Sequence, residues 1–238
     1  MTRVSSWDGS WRLPSVSGRS ASLLKWVALG LMVMDHVHFV FFARAVEPLY
    51  WLSRLVFPIY TLLVAQHLEV HGANPKRYIL RLLAYGVVAQ PVYMLCFQTA
   101  QLNVLFTLAS SIAAWWVLNS LKARGWEPAW RYAPIAFVAV CLINLEFWFA
   151  GVLAVPIFAA LMRRGAWWDW LLVPFLAWGI VGFGAPWVVP LVAIAVWIVM
   201  ARGSSRGASR GKPRWWVQHF FYAVYPLHLA VIALLSLV

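Results

Sequence analysis

The stretch LLKWVALGLMVMDHVHFVFF (23–42) decides the fold class of this chain. Nearly all of its twenty residues are apolar. As an α-helix, such a run is about 30 Å long, which matches the hydrocarbon thickness of a bilayer. Lipid offers the backbone no hydrogen bonds, so the stretch is predicted to be a membrane-spanning helix.

Composition extends this prediction to the whole chain. Of the 238 residues, 63% are hydrophobic and 11% are charged, and the mean hydropathy is +0.77. A soluble domain is about half apolar and one quarter charged. Too few charges are present to cover a soluble surface, which excludes a water-soluble fold and intrinsic disorder. Cys96 and Cys141 lie in apolar segments and indicate neither a metal site nor a disulfide framework.

The apolar runs predict an all-α polytopic membrane protein, a bundle of about nine transmembrane helices with a range of eight to ten. The runs are 22–43, 50–69, 79–97, 103–119, 132–146, 150–164, 168–182, 186–201 and 219–238. We expect a polar cytoplasmic lead at 1–20, followed by one transmembrane domain at 21–238. That domain contains a flexible basic loop at 201–217.

The basic residues predict the orientation. Fifteen of the 19 Lys and Arg residues lie in the N-terminal lead and in the loops 70–78, 119–131, 162–168 and 201–218. With nine spans, all of these segments lie on one side, which the positive-inside rule assigns to the cytoplasm. The sequence therefore predicts a multi-pass protein of the bacterial inner membrane, with its N-terminus in the cytoplasm and its C-terminus outside.

Polar residues inside the spans are the functional candidates, because a charge in the bilayer core costs roughly 3 kcal/mol. The first span contains Asp35 and His36, and helical spacing lets Asp35 and a histidine face one cavity. Arg54 of the second span lies at a similar depth, so a structural ion pair between Asp35 and Arg54 is the alternative to chemistry. Gln66, at the inner end, is expected to be solvated.

Three further spans contribute polar side chains. Asn103 begins a polar stripe that either joins helices or takes part in chemistry. Tyr225 and His228 lie in the last span, and Glu146 lies at an outer end, where structural and functional roles are equally compatible. This layout suits a buried reaction fed by an anionic substrate from a basic cytoplasmic mouth, and it equally suits a proton-coupled transporter.

Five strings in order resemble the TraX family, the membrane acetyltransferases of conjugative F-type pilin. They are LKWVALGLMVMDHVHFVFF (24–42), LSRLVFPIYTLLVAQHLEVH (52–71), KRYILRLLAYGVVAQP (76–91), LNVLFTLASSI (102–112) and YAVYPLHLAVI (222–232). A further string, NLEFWFAGVL (144–153), is similar to the family's acidic element, with Glu146 where an aspartate is expected.

The resemblance implies transfer of an acetyl group from acetyl-CoA to the amino terminus of a pilin-like subunit. The residues it carries over are Asp35, His36, Arg54, Arg81, Asn103, Tyr225 and His228. A histidine oriented by Asp35 suits an amine acceptor as its general base, and Arg54 or Asn103 suits the oxyanion. The acetyl-CoA phosphates suit Arg81, with Lys76, Arg77 and Lys122 beside it.

Two other functions fit the same residues. One is a proton-linked transporter that uses Asp35, His36 and Arg54, although the inverted repeat typical of transporters is not found in the sequence. The other is a non-catalytic assembly factor for a pilus or secretion machine. The expected partners are acetyl-CoA, an amine acceptor and the lipid bilayer, with no metal and no nucleic acid.

Overall fold

A computed structural model describes residues 11–125, 138, 142–181, 188–203 and 215–237. Within these ranges the chain is helical, apart from turns and an isolated bridge between Leu102 and Leu145. The α-helices are α1 (Gly18–Phe42), α2 (Glu47–Ser53), α3 (Val56–Glu69), α4 (Pro75–Phe97), α5 (Val104–Ala123), α6 (Trp148–Arg163), α7 (Val173–Val181), α8 (Val188–Arg202) and α9 (Trp215–Leu235), and a 3-10 helix covers Trp167–Leu172.

The predicted all-helical membrane fold is confirmed. In the described ranges, α1, the combined segment Glu47–Glu69, α4 and α5 are each long and apolar enough to cross a membrane, and shorter apolar helices accompany them. The predicted span 50–69 is interrupted at Arg54 and Leu55, and the predicted span 168–182 begins as a 3-10 helix. Most of the predicted span 132–146 lies outside the described residues.

Side-chain caps fix the starts of α4 and α5. Asn74 accepts a hydrogen bond from the Arg77 amide, and Pro75 occupies the first helical position, where its missing N–H costs nothing. Asn103 accepts from the Leu105 amide in the same way. Polar residues near these two helix starts are therefore held at defined depths.

Both parallel and antiparallel contacts join the helices, and α4 runs parallel to α9, as the contacts of Tyr85 with His219 and of Cys96 with Leu229 show. α4 packs against α5 and α9, while α6 packs against α3, α5 and α7. The Leu102 amide donates to Asn144 O at 2.7 Å, so Leu145 lies beside the start of α5. Ala123 lies at the other end of this helix, which is about 30 Å long. The described elements leave the number of crossings within the predicted range.

Residues 11–17 pack across the end of the bundle where α1 begins. Leu13 and Val16 are buried, and the Leu13 amide donates to Leu161 O at 2.7 Å. The Gln66 amide group bonds both the N–H and the C=O of Val16, each at 2.6 Å. Gln66 is thus buried, and the expectation that it is solvated is wrong, because the chain preceding α1 covers it.

Candidate functional site

A pair of histidines forms the centre of the buried polar cluster. His36 of α1 and His228 of α9 place Nδ1 and Nε2 2.6 Å apart. Their ring centroids are 4.8 Å apart and their planes differ by 4°. The nitrogens are much closer than the centroids, so the rings meet edge to edge in one plane, as a linear N–H···N bond requires.

The hydrogen-bond network assigns the protons of this pair. His228 Nδ1 lies 2.7 Å from Val224 O, and a carbonyl oxygen can only accept, so this nitrogen carries a hydrogen. In neutral His228 the Nε2 atom is then the acceptor, and His36 Nδ1 donates to it. A neutral His36 therefore keeps a lone pair on Nε2, the atom that a general base needs.

Aromatic rings surround the pair. His36 meets Phe97 and Tyr225 edge-on, with centroids 5.1 Å and 5.9 Å away. His36 is 5% exposed and Tyr225 is 2% exposed. Water is thus largely excluded from the His36 imidazole, whereas His228 is partly exposed, and low exposure strengthens electrostatic interactions at His36.

Asp35 is bonded to residues at the end of α2. Its Oδ1 accepts from Arg54 Nη2 at 2.6 Å and from Ser53 Oγ at 2.7 Å. The side chains of the ion pair are 11% and 12% exposed. The partner of His36 Nδ1 is thus His228, whereas the sequence suggested Asp35 as the residue that orients the base.

Arg54 has an N–H group that its bond to Asp35 does not use. Its Nε is buried and has no acceptor within the described ranges. The guanidinium also lies 4.9 Å from the centroid of the Tyr50 ring. A cation held this firmly, with an unused N–H, can stabilise a negative charge that develops nearby.

Glu146 joins the cluster through tertiary structure. Its amide donates to Leu102 O at 3.1 Å, which holds the residue beside the start of α5. The carboxyl group interacts with Arg54, with Tyr93 and with the Val104 amide. Its Oε2 is buried and has no hydrogen-bond partner in the part of the chain that the structure describes. The sequence singled out Glu146 and left its role open.

Ser53 and Tyr93 are site residues that sequence reasoning missed. Ser53 is fully buried and bonds to Asp35. Its position next to Arg54 was the only feature of the sequence that could have pointed to a place in the site. Tyr93 lies in the interior of α4 and approaches Glu146, and no sequence signal distinguishes it from a packed aromatic residue.

Asn103 lies nearby but is occupied. Its Nδ2 donates to Gly86 O and to Gln90 Oε1, each at 2.9 Å, and its Oδ1 caps α5. The amide of the next residue, Val104, lies near Glu146 and Tyr225. Asn103 thus positions a backbone donor of the cluster, and a direct role for its own side chain stays a prediction.

The four basic residues predicted to bind the donor divide between two places at the end where α1 begins. Lys76 and Arg77 are exposed at the start of α4, and Lys76 Nζ lies 5.2 Å from the Trp116 ring centroid. The charge of Arg81 lies near the hydroxyls of Tyr78 and Tyr222. Lys122 lies instead in a groove between α5 and α6.

Ring side chains on α9 lie between the basic end and the histidine pair. The stripe consists of His219, Tyr222, Tyr225 and His228, at every third position. Tyr85 of α4 hydrogen-bonds His219 Nδ1 at 3.0 Å and stacks on Tyr222 at 5.5 Å. Nine residue steps of helix cover about 13 Å, and successive rings are displaced by about 60° around α9, so the stripe winds from the α4 side to the α1 side as it extends into the bundle.

The fold and this cluster define a polytopic membrane protein with a buried site of two histidines, an Asp–Arg ion pair and a second acid. Comparison with known proteins gives the family. The TraX protein family matches residues 20–236, and the chain belongs to that family.

Two relatives accompany this match. The chain is 30% identical to Protein TraX of Escherichia coli over 246 aligned positions, spanning 99% of this chain and 94% of that protein. It is 34% identical over 110 positions to the probable fimbrial assembly protein FimC, serogroup H1, of Dichelobacter nodosus, spanning 40% of this chain and 45% of that protein. No solved structure matches.

Proposed function

We propose that this protein is a membrane-embedded acetyltransferase that moves an acetyl group from cytoplasmic acetyl-CoA to an amine, the amino terminus of a pilin-like subunit. The observation that carries the proposal is the coplanar His36–His228 pair, whose bonding leaves the Nε2 lone pair of His36 for a proton. A buried imidazole costs stability and is not needed to form a helix, which favours a chemical role.

The reaction balances with the groups at hand. The acceptor amine attacks the thioester carbonyl while His36 Nε2 removes its proton, so a C–N bond forms. The C–S bond then breaks, and the imidazolium returns the proton to the departing thiolate. General acid–base catalysis by one histidine serves both steps. His228 stabilises the charged form of His36 by accepting from Nδ1.

Arg54 is the proposed oxyanion donor. Its Nη2 is held by Asp35, and this bond fixes the guanidinium while Nε remains unused among the described residues. Asp35 and Ser53 act as positioning residues for Arg54. Such a prearranged donor stabilises a tetrahedral intermediate without reorganisation.

The donor is proposed to enter from the basic end. Lys76, Arg77 and Arg81 suit the phosphates of acetyl-CoA, and the ring stripe on α9 leads inward from Tyr222. His36 lies about 25 Å along α1 from Gly18, so the thioester has to reach deep into the bundle. The acceptor approaches from the opposite end, where α1 turns into α2.

The rival proposal is a non-catalytic assembly factor, which the name of the Dichelobacter nodosus relative favours. The test is intact mass spectrometry of a separately purified pilin-like acceptor after incubation with this protein and isotope-labelled acetyl-CoA. We expect a labelled acetyl group on the acceptor's α-amine. An unmodified acceptor that still assembles only when this protein is present would support the assembly factor instead.

A further inference from the structure

A groove separate from the histidine site opens between α5 and α6 at the basic end of the bundle. It has a volume of about 220 Å³. The residues that line it are Trp115, Leu118, Asn119, Lys122, Pro156, Ala160, Arg163 and Arg164. They repeat at intervals of three and four on each helix, so one face of α5 and one face of α6 form the two walls.

A hydrogen-bond network prearranges the polar wall. Arg163 Nε lies 3.1 Å from Glu69 Oε2, and its Nη1 donates to Asn119 Oδ1 at 2.7 Å. Trp115 Nε1 donates to the other Glu69 oxygen at 2.6 Å. Glu69 is a single negative charge beside Lys122, Arg163 and Arg164, so the groove keeps an excess of two positive charges.

The groove has a charged end and an apolar wall, as a phospholipid has a charged headgroup and apolar chains. Its charges lie at the ends of α5 and α6, whereas Pro156 and Ala160 continue the wall about 10 Å toward the middle of the bilayer. Leu118 is 51% exposed and faces outward. A free phosphate would use the cations alone, whereas a phospholipid would also cover the apolar wall.

We propose that this groove binds an anionic phospholipid of the surrounding leaflet, with the headgroup phosphate between Lys122 and Arg164 and an acyl chain along Pro156 and Ala160. Arg163, already fixed by Glu69 and Asn119, has further N–H groups that can bind the same phosphate. Guanidinium and ammonium donors are the usual partners of phosphate oxygens. Lys122 thereby belongs to a lipid site rather than to the acetyl-CoA mouth.

The test is native mass spectrometry of the full-length protein with phosphatidylglycerol added from detergent micelles. The variant carries Lys122→Gln and Arg164→Gln, which leave the Glu69 network in place. The matched control is Arg124→Gln, an exposed charge at the same end that does not line the groove. We expect the double variant to weaken lipid binding by about tenfold or more and the control by about twofold at most.

Binding of coenzyme A and of phosphatidylcholine is measured as well, to distinguish an anionic lipid from other phosphate-containing ligands. Coenzyme A should bind the double variant as tightly as it binds the parent, and phosphatidylcholine should bind both weakly. Equal loss of phosphatidylglycerol in the double variant and the control would overturn the proposal. Loss of coenzyme A with phosphatidylglycerol retained would overturn it as well, and would return Lys122 to the donor site.

Discussion

At the scale of single residues, the polar side chains of the buried cluster have different hydrogen-bond partners and therefore different possible roles. His36 donates through Nδ1 to His228 and keeps Nε2 for a proton. Asp35 is committed to Arg54 and Ser53. His38, in the same helix, accepts from the Val46 amide at 3.0 Å and so closes the turn into α2. Neighbouring polar residues of one span thus bond to another helix, form an ion pair and close a turn.

Replacing His36 with Asn should abolish transfer while leaving the fold intact. Asparagine keeps a hydrogen-bonding group of similar size but cannot take up a proton near neutral pH. General-base catalysis supplies a factor of about 100 to 10,000, so the acetylation rate should fall by that amount in a labelled acetyl-CoA assay. Normal turnover in His36→Asn with none in His228→Asn would assign the base to the other ring.

Replacing Asp35 with Asn should destabilise the protein as well as inactivate it. Arg54 would be left in a site where its side chain is 11% exposed, without its carboxylate. Breaking a buried ion pair costs about 3–5 kcal/mol, which thermal unfolding in detergent can measure. The double variant Asp35→Asn with Arg54→Gln should recover part of that loss. Wild-type stability in the single variant would contradict a structural contribution of the pair.

Replacing Arg81 with Ala should weaken coenzyme A binding in a salt-dependent manner. Phosphate contacts made by exposed or half-exposed cations are screened as ionic strength rises. Calorimetry at low and high salt should therefore show a large difference between parent and variant at low salt and a small one at high salt. Arg124→Ala, at the same end, serves as the control; an equal effect there would point to general charge attraction.

At the scale of elements, close helix crossings hold the site together. α6 contributes Gly151, where an added Cβ would lie 2.5 Å from Thr107 Cγ2 and 2.6 Å from Phe147 Cβ. α7 approaches α6 equally closely, with Gly179 against Ala150. Small residues allow this approach in the absence of a hydrophobic driving force between helices. The loop that carries Glu146 is tied to these crossings through Phe147, which stacks on Phe57 of α3 at 4.1 Å.

The substitution Gly151→Ala should separate α5 from α6 and destabilise the protein. Overpacking of this kind typically costs about 1–3 kcal/mol. The matched control is Gly30→Ala in α1, where nothing lies within 4 Å of the added methyl group. Alanine is the better helix former, so Gly30→Ala should be neutral or stabilising. Unfolding midpoints in the same detergent compare the two, and equal midpoints would show that the crossing tolerates the methyl group.

At the scale of the whole molecule, the basic residues lie at one end of the bundle and the histidine site lies toward the other. Lys76 and Lys122, with Arg163 and the segment 11–17, lie at the end where α1 begins. The histidine site lies toward the opposite end. A donor from one side and an acceptor from the other can therefore meet inside the bundle, which is the arrangement that the proposed reaction needs.

The nine crossings predicted from the sequence would place the two chain ends on opposite sides of the membrane. A reporter that is active only in the cytoplasm should be silent when fused after Val238 and active when fused before Met1. The reason is the positive-inside rule applied to the basic loops. Activity of the C-terminal fusion would remove the nine-span arrangement and leave an even number of crossings.

The sequence by itself determined the membrane class and most helix positions. Apolar runs of the length of a bilayer leave the backbone no alternative to a helix, because only a helix satisfies its hydrogen bonds locally. The free-energy cost of placing an ionisable side chain in the bilayer likewise identifies Asp35, His36 and Arg54 as functional candidates before their neighbours are known. The TraX resemblance that these strings carry is confirmed by the family match.

Tertiary structure alone decided which groups meet. Helical periodicity fixes the face of a side chain but not the partner on another helix, so the bond between His36 and His228, 192 positions apart, could not be derived from spacing. Glu146 enters the site through the bridge at Leu102, and Gln66 is buried by the segment before α1. Lys122 lines the α5–α6 groove, whereas Lys76 lies over the Trp116 ring. Each outcome depends on how helices distant in sequence pack, and a single helix contains no record of that packing.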